Sequence, residues 1–390
     1  MVLVGGTIEE IKILCSFPLD YKLCGSFLQQ HARLGNAVMP KMMFHIAKNI
    51  KENILNNKQQ PTVISTFAGG GGSSLGYHWA GFKELLAIDF DQNSCDTLKA
   101  NFDFPVWQKD IKKVIAEEIL NFCNIKIGEL DVLDGSPPCQ GFSTVGKRNL
   151  NDSRNDLFLE YIRLIDGLQP KVFVMENVSG MMKGGYKGKF NEILKTLKDT
   201  GYNVKCKLMN AMWYEVPQSR ERLFFIGVRK DLNIEPCFPE PMKNFISVKN
   251  SLNGIVNKNF IEIKPDWYTN TIWDKTLIGK NFASSTGGVS GYSFVKINPD
   301  KVCSTIPKSL ELGNKRWCAY VHWKEKRSLS IEEIKRLSSF PDDYKLHGTV
   351  VQQWARIGNA VMPKMMFHIA KNIKENILDK IIQLVSVFST

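Results

Sequence analysis

A chain of 390 residues, 43% apolar and 23% charged, is long enough to bury one large core or two modest ones, which excludes a disordered chain. Its 51 Lys and Arg against 39 Asp and Glu leave +12 at pH 7 and a pI near 9.1, so a polyanionic partner is expected, nucleic acid first. No run approaches the ~18 uninterrupted apolar residues of a membrane span, and the apolar start Met1 to Val4 runs into Glu9 and Glu10 instead of a leader core. Nine cysteines with no Cys-x-x-Cys pair disfavour both a disulfide scaffold and structural zinc, and no metal is expected.

In chain order the first feature is half of a repeat. Ile8 to Leu55 returns as Ile331 to Leu378 with nine differences in 48 positions, and Gly35 to Leu55 is identical to Gly358 to Leu378. Two copies 323 residues apart are not a solenoid array. Each reads as a short helix, a loop, and a Gly-Asn turn opening a second helix; in the first copy Val38, Met42, Ile46, Ile50 and Ile54 recur one turn apart and need something to pack on.

Between the copies, strand-like runs at 62–67, 85–89, 130–135, 172–177 and 222–228 alternate with helical or polar stretches. That alternation predicts an α/β fold with a doubly wound, mostly parallel sheet. After Val228 it stops, and 230–328 carries 15 basic and 9 acidic residues, a net of +6. The expected organisation is a repeat copy with linker at 1–60, a catalytic domain at 61–229, a smaller inserted domain at 230–326, and a closing segment at 327–390.

Three strand ends carry candidate chemistry. Phe67-Ala-Gly-Gly-Gly-Gly72 follows the first strand, where backbone amides can approach a nucleotide-like ligand, and Asp89 lies about 20 residues on, placed for a ribose diol. The G-x-G-x-x-G dinucleotide pattern is not met, so a nicotinamide oxidoreductase is disfavoured. Cys139 in Gly135-Ser-Pro-Pro-Cys-Gln-Gly-Phe-Ser143 sits beyond a strand at the carboxyl edge of the sheet, a candidate nucleophile, followed by a Gly-, Ser-, Lys- and Arg-rich loop able to close over a ligand. Glu176 ends the run before Asn177 and Val178 and projects into the same crevice. Gln218-Ser-Arg-Glu-Arg222 then offers Arg220 and Arg222 on one face of an extended segment, beside that carboxylate.

In this order and spacing the motifs resemble the DNA (cytosine-5) methyltransferases over essentially all of 61–390; the stretches Arg327 to Asp343 and Gln353 to Pro363 are similar to that family's two closing motifs. The resemblance implies methyl transfer from S-adenosylmethionine to C5 of a cytosine in a short duplex site, with Cys139 adding to C6 and Glu176, Arg220 and Arg222 assisting. It implies base flipping, with Ser143 to Asp156 as the closing loop and Ser143, Lys147, Arg148 and Arg154 as DNA contacts. For the cofactor it implies Phe67, Gly69, Gly71, Asp89, Phe90, Asp110, Ile111, Pro138, Leu157, Asn359 and Ala360; Asp89 replaces the more usual Glu, and Ala360 a common Ser. The segment 230–326 would read the target sequence.

The implied partner is double-stranded DNA, with no membrane, in the cytoplasm on the nucleoid, and with any cognate restriction endonuclease acting as a separate protein. A monomer is expected, the duplicated segment offering a route to a swapped dimer. A tRNA cytosine-5 methyltransferase of the same fold is the alternative, opposed by Pro-Pro-Cys-Gln-Gly-Phe-Ser together with the basic insertion. Of the two copies, the second is expected to line the cofactor pocket, through Asn359 and not Asn36, because the first replaces Arg336 with Ile13, Asp342 with Leu19 and Trp354 with His31.

Overall fold

The computed structural model describes residues 6–37, 39–49, 60–138, 157–182, 187–256, 260, 273–285, 295–308 and 320–382. By its internal contacts the chain divides into two units, Met1–Gln60 and Pro61–Thr390. The first unit holds α1 (Ile8–Leu14), α2 (Phe27–Asn36) and α3 (Pro40–Asn49). Capping boxes start α1, through Thr7 and Glu10, and α2, through Ser26 and Gln29, so local chemistry defines both helix starts. Its buried core is small, Ile8, Cys15 and Leu34, and large apolar side chains such as Leu14, Leu28 and Phe44 stay exposed.

The second unit alternates strand and helix: β1 (Thr62–Thr66), α4 (Gly72–Trp79), β2 (Lys83–Asp89), α5 (Gln92–Asn101), β3 (Val106–Gln108), α6 (Ala116–Cys123), β4 (Val132–Gly135), α7 (Leu157–Leu168), β5 (Val172–Val178), α8 (Lys187–Asp199) and β6 (Tyr202–Asn210). A two-residue β7 (Gln218–Ser219) precedes β8 (Glu221–Arg229). Seven strands form one sheet in the order β3-β2-β1-β4-β5-β8-β6, parallel except for β8, which runs antiparallel to both neighbours. The expected doubly wound, mostly parallel sheet is therefore present. Two of its strands were not anticipated: β3 has only three residues, and β6 mixes Lys and Asn into its run because it is an edge strand.

The pleat explains the apolar runs. Val63, Val132, Val172, Val174, Phe224 and Ile226 point to one face, while Ile64, Leu133, Phe173, Met175, Leu223 and Phe225 point to the other. The second face is covered by α6, α7 and α8 through residues such as Ile119, Ile165 and Ile193. The first is covered by α4 and by segments far along the chain.

Beyond Arg229 come α9 (Val248–Ser251), α10 (Phe282–Ser285), β9 (Val295–Lys296), β10 (Cys303–Ser304) and β11 (Tyr320–Val321), then α11 (Ile331–Leu337), α12 (Val350–Asn359) and α13 (Pro363–Ile373). β10 pairs with β7 and β11 with β9. Val248, Ile297, Cys303 and Ile306 share one apolar cluster with α11, α12 and α13, so the inserted stretch is rooted in the same core as the closing helices.

α13 lies directly on α4. A Cβ at Gly72 would sit 2.0 Å from the Val361 carbonyl oxygen, and one at Gly76 would sit 2.6 Å from Met366 Cβ, so only glycine permits this approach. Gly72→Ala should lower unfolding free energy by about 1–3 kcal/mol through overpacking, read as a reduced urea midpoint at unchanged slope.

Candidate active site

The carboxyl ends of β3, β2, β1, β4 and β5, adjacent in the sheet, carry the predicted residues. After β1 the chain turns at Phe67, which takes left-handed backbone (φ 52°), a conformation that costs a non-glycine residue about 1–3 kcal/mol. The Phe67 ring packs on the α7 side of the sheet. Gly69 follows, also with positive φ, and its amide donates to Asp89 Oδ2 at 2.8 Å. A Cβ on Gly69 would meet nothing nearer than 4.0 Å, whereas Gly70, Gly71 and Gly72 are pressed by Arg356, Tyr344 and Val361. Gly69 thus presents open space, and the three glycines after it make room for the closing segment.

Asp89 accepts from Gly69 through one oxygen and from the Asp91 amide through the other (2.9 Å). Burial pushes its carboxyl up while the two amides pull it down. Beside it the Phe90 ring is 73% exposed, an apolar platform left bare at a sheet edge. Asp110 caps the turn at Ile111–Lys113 by accepting from the Lys112 amide, and Ile111 is buried. Pro138 is half-buried, and Leu157 packs at the start of α7. Asn359, exposed, and Ala360, buried, end α12 one turn beyond Arg356, whose guanidinium donates to Asp91. An open glycine, a diol-accepting carboxylate, a bare aromatic face and an exposed cap carboxylate fit an adenosine-type cofactor.

At the end of β5, Glu176 and Arg222 form an ion pair of 2.8 Å with both side chains largely buried. Burial raises the proton affinity of the Glu176 carboxyl, and the charges of Arg222 and Arg220 oppose that rise. The sequence expectation set both arginines against this carboxylate, but the ion pair belongs to Arg222. Arg220 is buried and donates to the carbonyls of Ile306 (3.1 Å) and Gly358 (2.8 Å). Arg220 still lies near enough for its charge to act on Glu176 and on Arg222, although its hydrogen bonds go elsewhere. Gln218 completes a staple: its amide nitrogen donates to Leu337 O and Ser338 Oγ, and its oxygen accepts from Ile306 N.

Cys139, Ser143, Lys147, Arg148 and Arg154 lie outside the described residues. The approach to Cys139 is described as far as Pro138, and it is held by a residue not singled out in the sequence. Asn177, buried next to Glu176, donates from Nδ2 to the Pro137 carbonyl at 3.3 Å. An amide directly after the acid, at a strand end, was the available signal.

A polar layer beneath the glycine turn was also missed. Asp134 on β4 accepts from Ser73 Oγ (2.6 Å) and Tyr77 OH (3.4 Å), and Glu84 on β2 accepts from Ser74 Oγ (3.0 Å). Burial pushes Asp134 up to about 7 and Glu84 up to about 8, against the pull of these hydroxyls.

Comparison with known proteins places this fold. It belongs to the C-5 cytosine-specific DNA methylase family, whose model matches residues 61–375, and it is a DNA cytosine-5 methyltransferase. The Type II methyltransferase M1.HphI of Haemophilus parahaemolyticus is 35% identical over 333 residues, spanning 80% of this chain and 86% of its own. The Type II methyltransferase M.FnuDI of Fusobacterium nucleatum is 34% identical over 343 residues, spanning 82% and 95%. A crystal structure of a DNA modification methyltransferase encoded within an Escherichia coli prophage matches with TM-score 0.66 at 26% identity, over 82% of this chain and all of that one. Spodoptera frugiperda DNMT2, at 17% identity and TM-score 0.59, over 81% of this chain and 99% of that one, shares the fold.

Two predictions follow from the buried charges. The folded chain holds protons on Asp134 and Glu84 that the unfolded chain releases near pH ~4. Their contribution is therefore full below about pH 4 and is lost as pH rises through 7 and 8. The urea midpoint should fall between pH 5 and 8.5, and D134N/E84Q should flatten that fall. Arg220→Met should destabilise by at least about 2 kcal/mol, since each unpartnered buried carbonyl costs ~1–3 kcal/mol, read as a lowered melting temperature.

Proposed function

We propose that the enzyme transfers a methyl group from S-adenosylmethionine to C5 of a cytosine flipped out of a short duplex DNA site, as the modification partner of a separately acting restriction endonuclease. The observation that carries this reading is the buried Glu176–Arg222 pair, one residue from Asn177, which holds the Pro137 carbonyl two residues short of Cys139. An acid and the approach to a thiol thereby meet at neighbouring strand ends.

Cytosine is a poor carbon nucleophile. The Cys139 thiolate adds to C6, forming an S–C6 bond, while Glu176 gives its proton to N3. Burial raises the proton affinity of this carboxyl, which favours its holding a proton to give, and Arg222 fixes its orientation and steadies it once it is ionised. The electron pair released toward C5 makes that carbon nucleophilic. S-adenosylmethionine, when bound, supplies the electrophilic methyl group. Loss of the C5 proton to a base then re-forms the C5–C6 double bond and expels Cys139 as thiolate, and N3 returns its proton to Glu176.

Phe67, Gly69 and Gly71 would hold the methionine end of the cofactor. Asp89 would accept from the ribose hydroxyls through the remaining lone pairs of oxygens already bound to two amides. Phe90 would cover the adenine and Asp110 and Ile111 its edge, with Pro138, Leu157, Asn359 and Ala360 as walls. Ser143, Lys147, Arg148 and Arg154 would meet DNA as the loop closes, and the basic stretch 230–326 would read the site, its positive charge giving salt-dependent phosphate contacts. Homology to Type II DNA methyltransferases favours duplex DNA over tRNA as substrate.

Incubating the protein with labelled S-adenosylmethionine and either duplex DNA or tRNA, then mapping the product, tests this. Label should reach C5 of cytosine at one short DNA motif and disappear with Cys139→Ser. Glu176→Gln should retain binding and lose about 10²–10⁴-fold in rate, the usual share of a positioned acid. Label on tRNA alone would replace the DNA reading with the tRNA one.

A further inference from the structure

Residues 8–55 have no role in the reaction above, yet over the described residues 8–37 and 39–49 the structure has the same local build as in 331–360 and 362–372. Both copies open on a capping box, Thr7 with Glu10 and Ser330 with Glu333. Both turn through a serine in left-handed backbone, Ser16 and Ser339, each with φ 61°. In each, that serine hydroxyl accepts from a lysine amide 25 residues on, Lys41 or Lys364, at 3.1 Å. Both carry a second capping box, Ser26 with Gln29 and Thr349 with Gln352. Preceding it is a glycine carbonyl, Gly25 or Gly348, that accepts from a glutamine side chain, Gln30 or Gln353. The first copy therefore already holds the conformation that the second adopts in place.

What the second copy fills is a slot on the catalytic unit. α13 buries Met365, Met366, Ile369, Ala370 and Ile373 where Gly72 and Gly76 of α4 leave room. The first copy repeats this helix without a change, and Met42 and Met43, counterparts of Met365 and Met366, are 58% and 47% exposed. The tether suits the same seat. Lys374, near the end of the resident segment, donates to the Ala80 carbonyl, and three residues on, the Lys83 amide donates to the Pro61 carbonyl. Lys51 is the counterpart of Lys374, and residues 56–60 alone separate the first copy from Pro61. That linker reaches about 17 Å at ~3.3–3.6 Å per residue, and a tether so short gives a high effective concentration.

The copies differ at three of the side chains by which the second grips its surroundings, while Arg356, Tyr344 and Lys374 have identical counterparts. Arg336 donates to the Asn253 carbonyl (2.7 Å) and is braced by Asp342. Ser338 accepts from Gln218, and Trp354, fully buried, donates to the Pro307 carbonyl (3.0 Å). The first copy has Ile13, Leu19, Cys15 and His31 at these places.

We infer that the first copy is a tethered second occupant of this slot, weaker than the resident, which closes the catalytic unit of its own chain when the second copy is dislodged. The inference is independent of the methyl-transfer reading, because its readouts are folding and size. Full-length M366D, M43D and the double variant are compared by thermal melting and gel filtration. M43D should melt with the parent, M366D should melt cooperatively as a monomer at lower temperature, and M43D/M366D should lose the cooperative transition. Identical melting of M366D and the double variant overturns the inference, and so does a dimeric M366D, whose slot would be filled by another molecule. Adding I13R/C15S/L19D/H31W to M366D should raise its melting temperature, and no rise also overturns it.

Discussion

The close packing of α13 on the glycine face of α4 is the contact on which the remainder of the catalytic unit depends. Gly72 and Gly76 have no space for a Cβ, and Gly70 and Gly71 are held in the same way by Arg356 and the Tyr344 hydroxyl, the latter donating to the Gly70 carbonyl at 2.7 Å. A loop of four consecutive glycines would otherwise carry a large conformational entropy. Residues more than 270 positions away remove that freedom, so the turn that would face a cofactor takes its shape from the end of the sequence as much as from β1. Only Gly69 escapes the clamp, which is why open space lies there and not along the whole loop.

The second constraint is electrostatic. Glu84, Asp134 and Glu176 lie near enough along the tops and backs of β2, β4 and β5 for the charge on Asp134 to feel that of Glu176, and that on Glu84 to feel Asp134. Among the three, Glu176 has the arginine, and the other two are answered by hydroxyls alone. Burial therefore favours protons on Asp134 and Glu84, which leaves Glu176 as the carboxyl whose charge a partner can stabilise. This asymmetry separates a polar layer closed by hydroxyls from a carboxyl paired with an arginine.

Much of this was legible from residues alone. The apolar runs marked β1, β2, β4, β5 and β8 because a sheet covered on both faces needs no polar alternation, and the candidate residues were sought at the carboxyl ends of β1, β2, β4 and β5 and the start of the antiparallel β8 because open α/β sheets leave a crevice at that edge. Arg220 was legible only in part: its charge acts on Glu176 beside that of Arg222, but its hydrogen bonds go to the Ile306 and Gly358 carbonyls, which no local spacing reveals. Asp134 and Glu84 looked like ordinary punctuation in short strands, since their partners Ser73, Ser74 and Tyr77 come from a helix whose docking no local pattern reveals. The glycines drew attention for the right loop, but their partners, Val361 and Met366, could be named only once the chain had closed on itself.

The duplicated segment separates two kinds of contact that a single copy would confound. Its capping boxes, left-handed serine and glutamine-to-carbonyl bond are satisfied within the segment, and they persist in both copies even where the residue changes, as with Ser26 for Thr349. Contacts that the second copy makes with the rest of its unit have no such support within the segment. Arg336, Ser338 and Trp354 are of that second kind, and each is altered in the first copy. Helix α13 has the same 11 residues as its counterpart, although its buried methionines also act only in the slot. The pattern is that of a segment that has kept its shape, its apolar key and the counterparts of Arg356, Tyr344 and Lys374, while losing those of Arg336, Ser338 and Trp354 that would make it the preferred occupant.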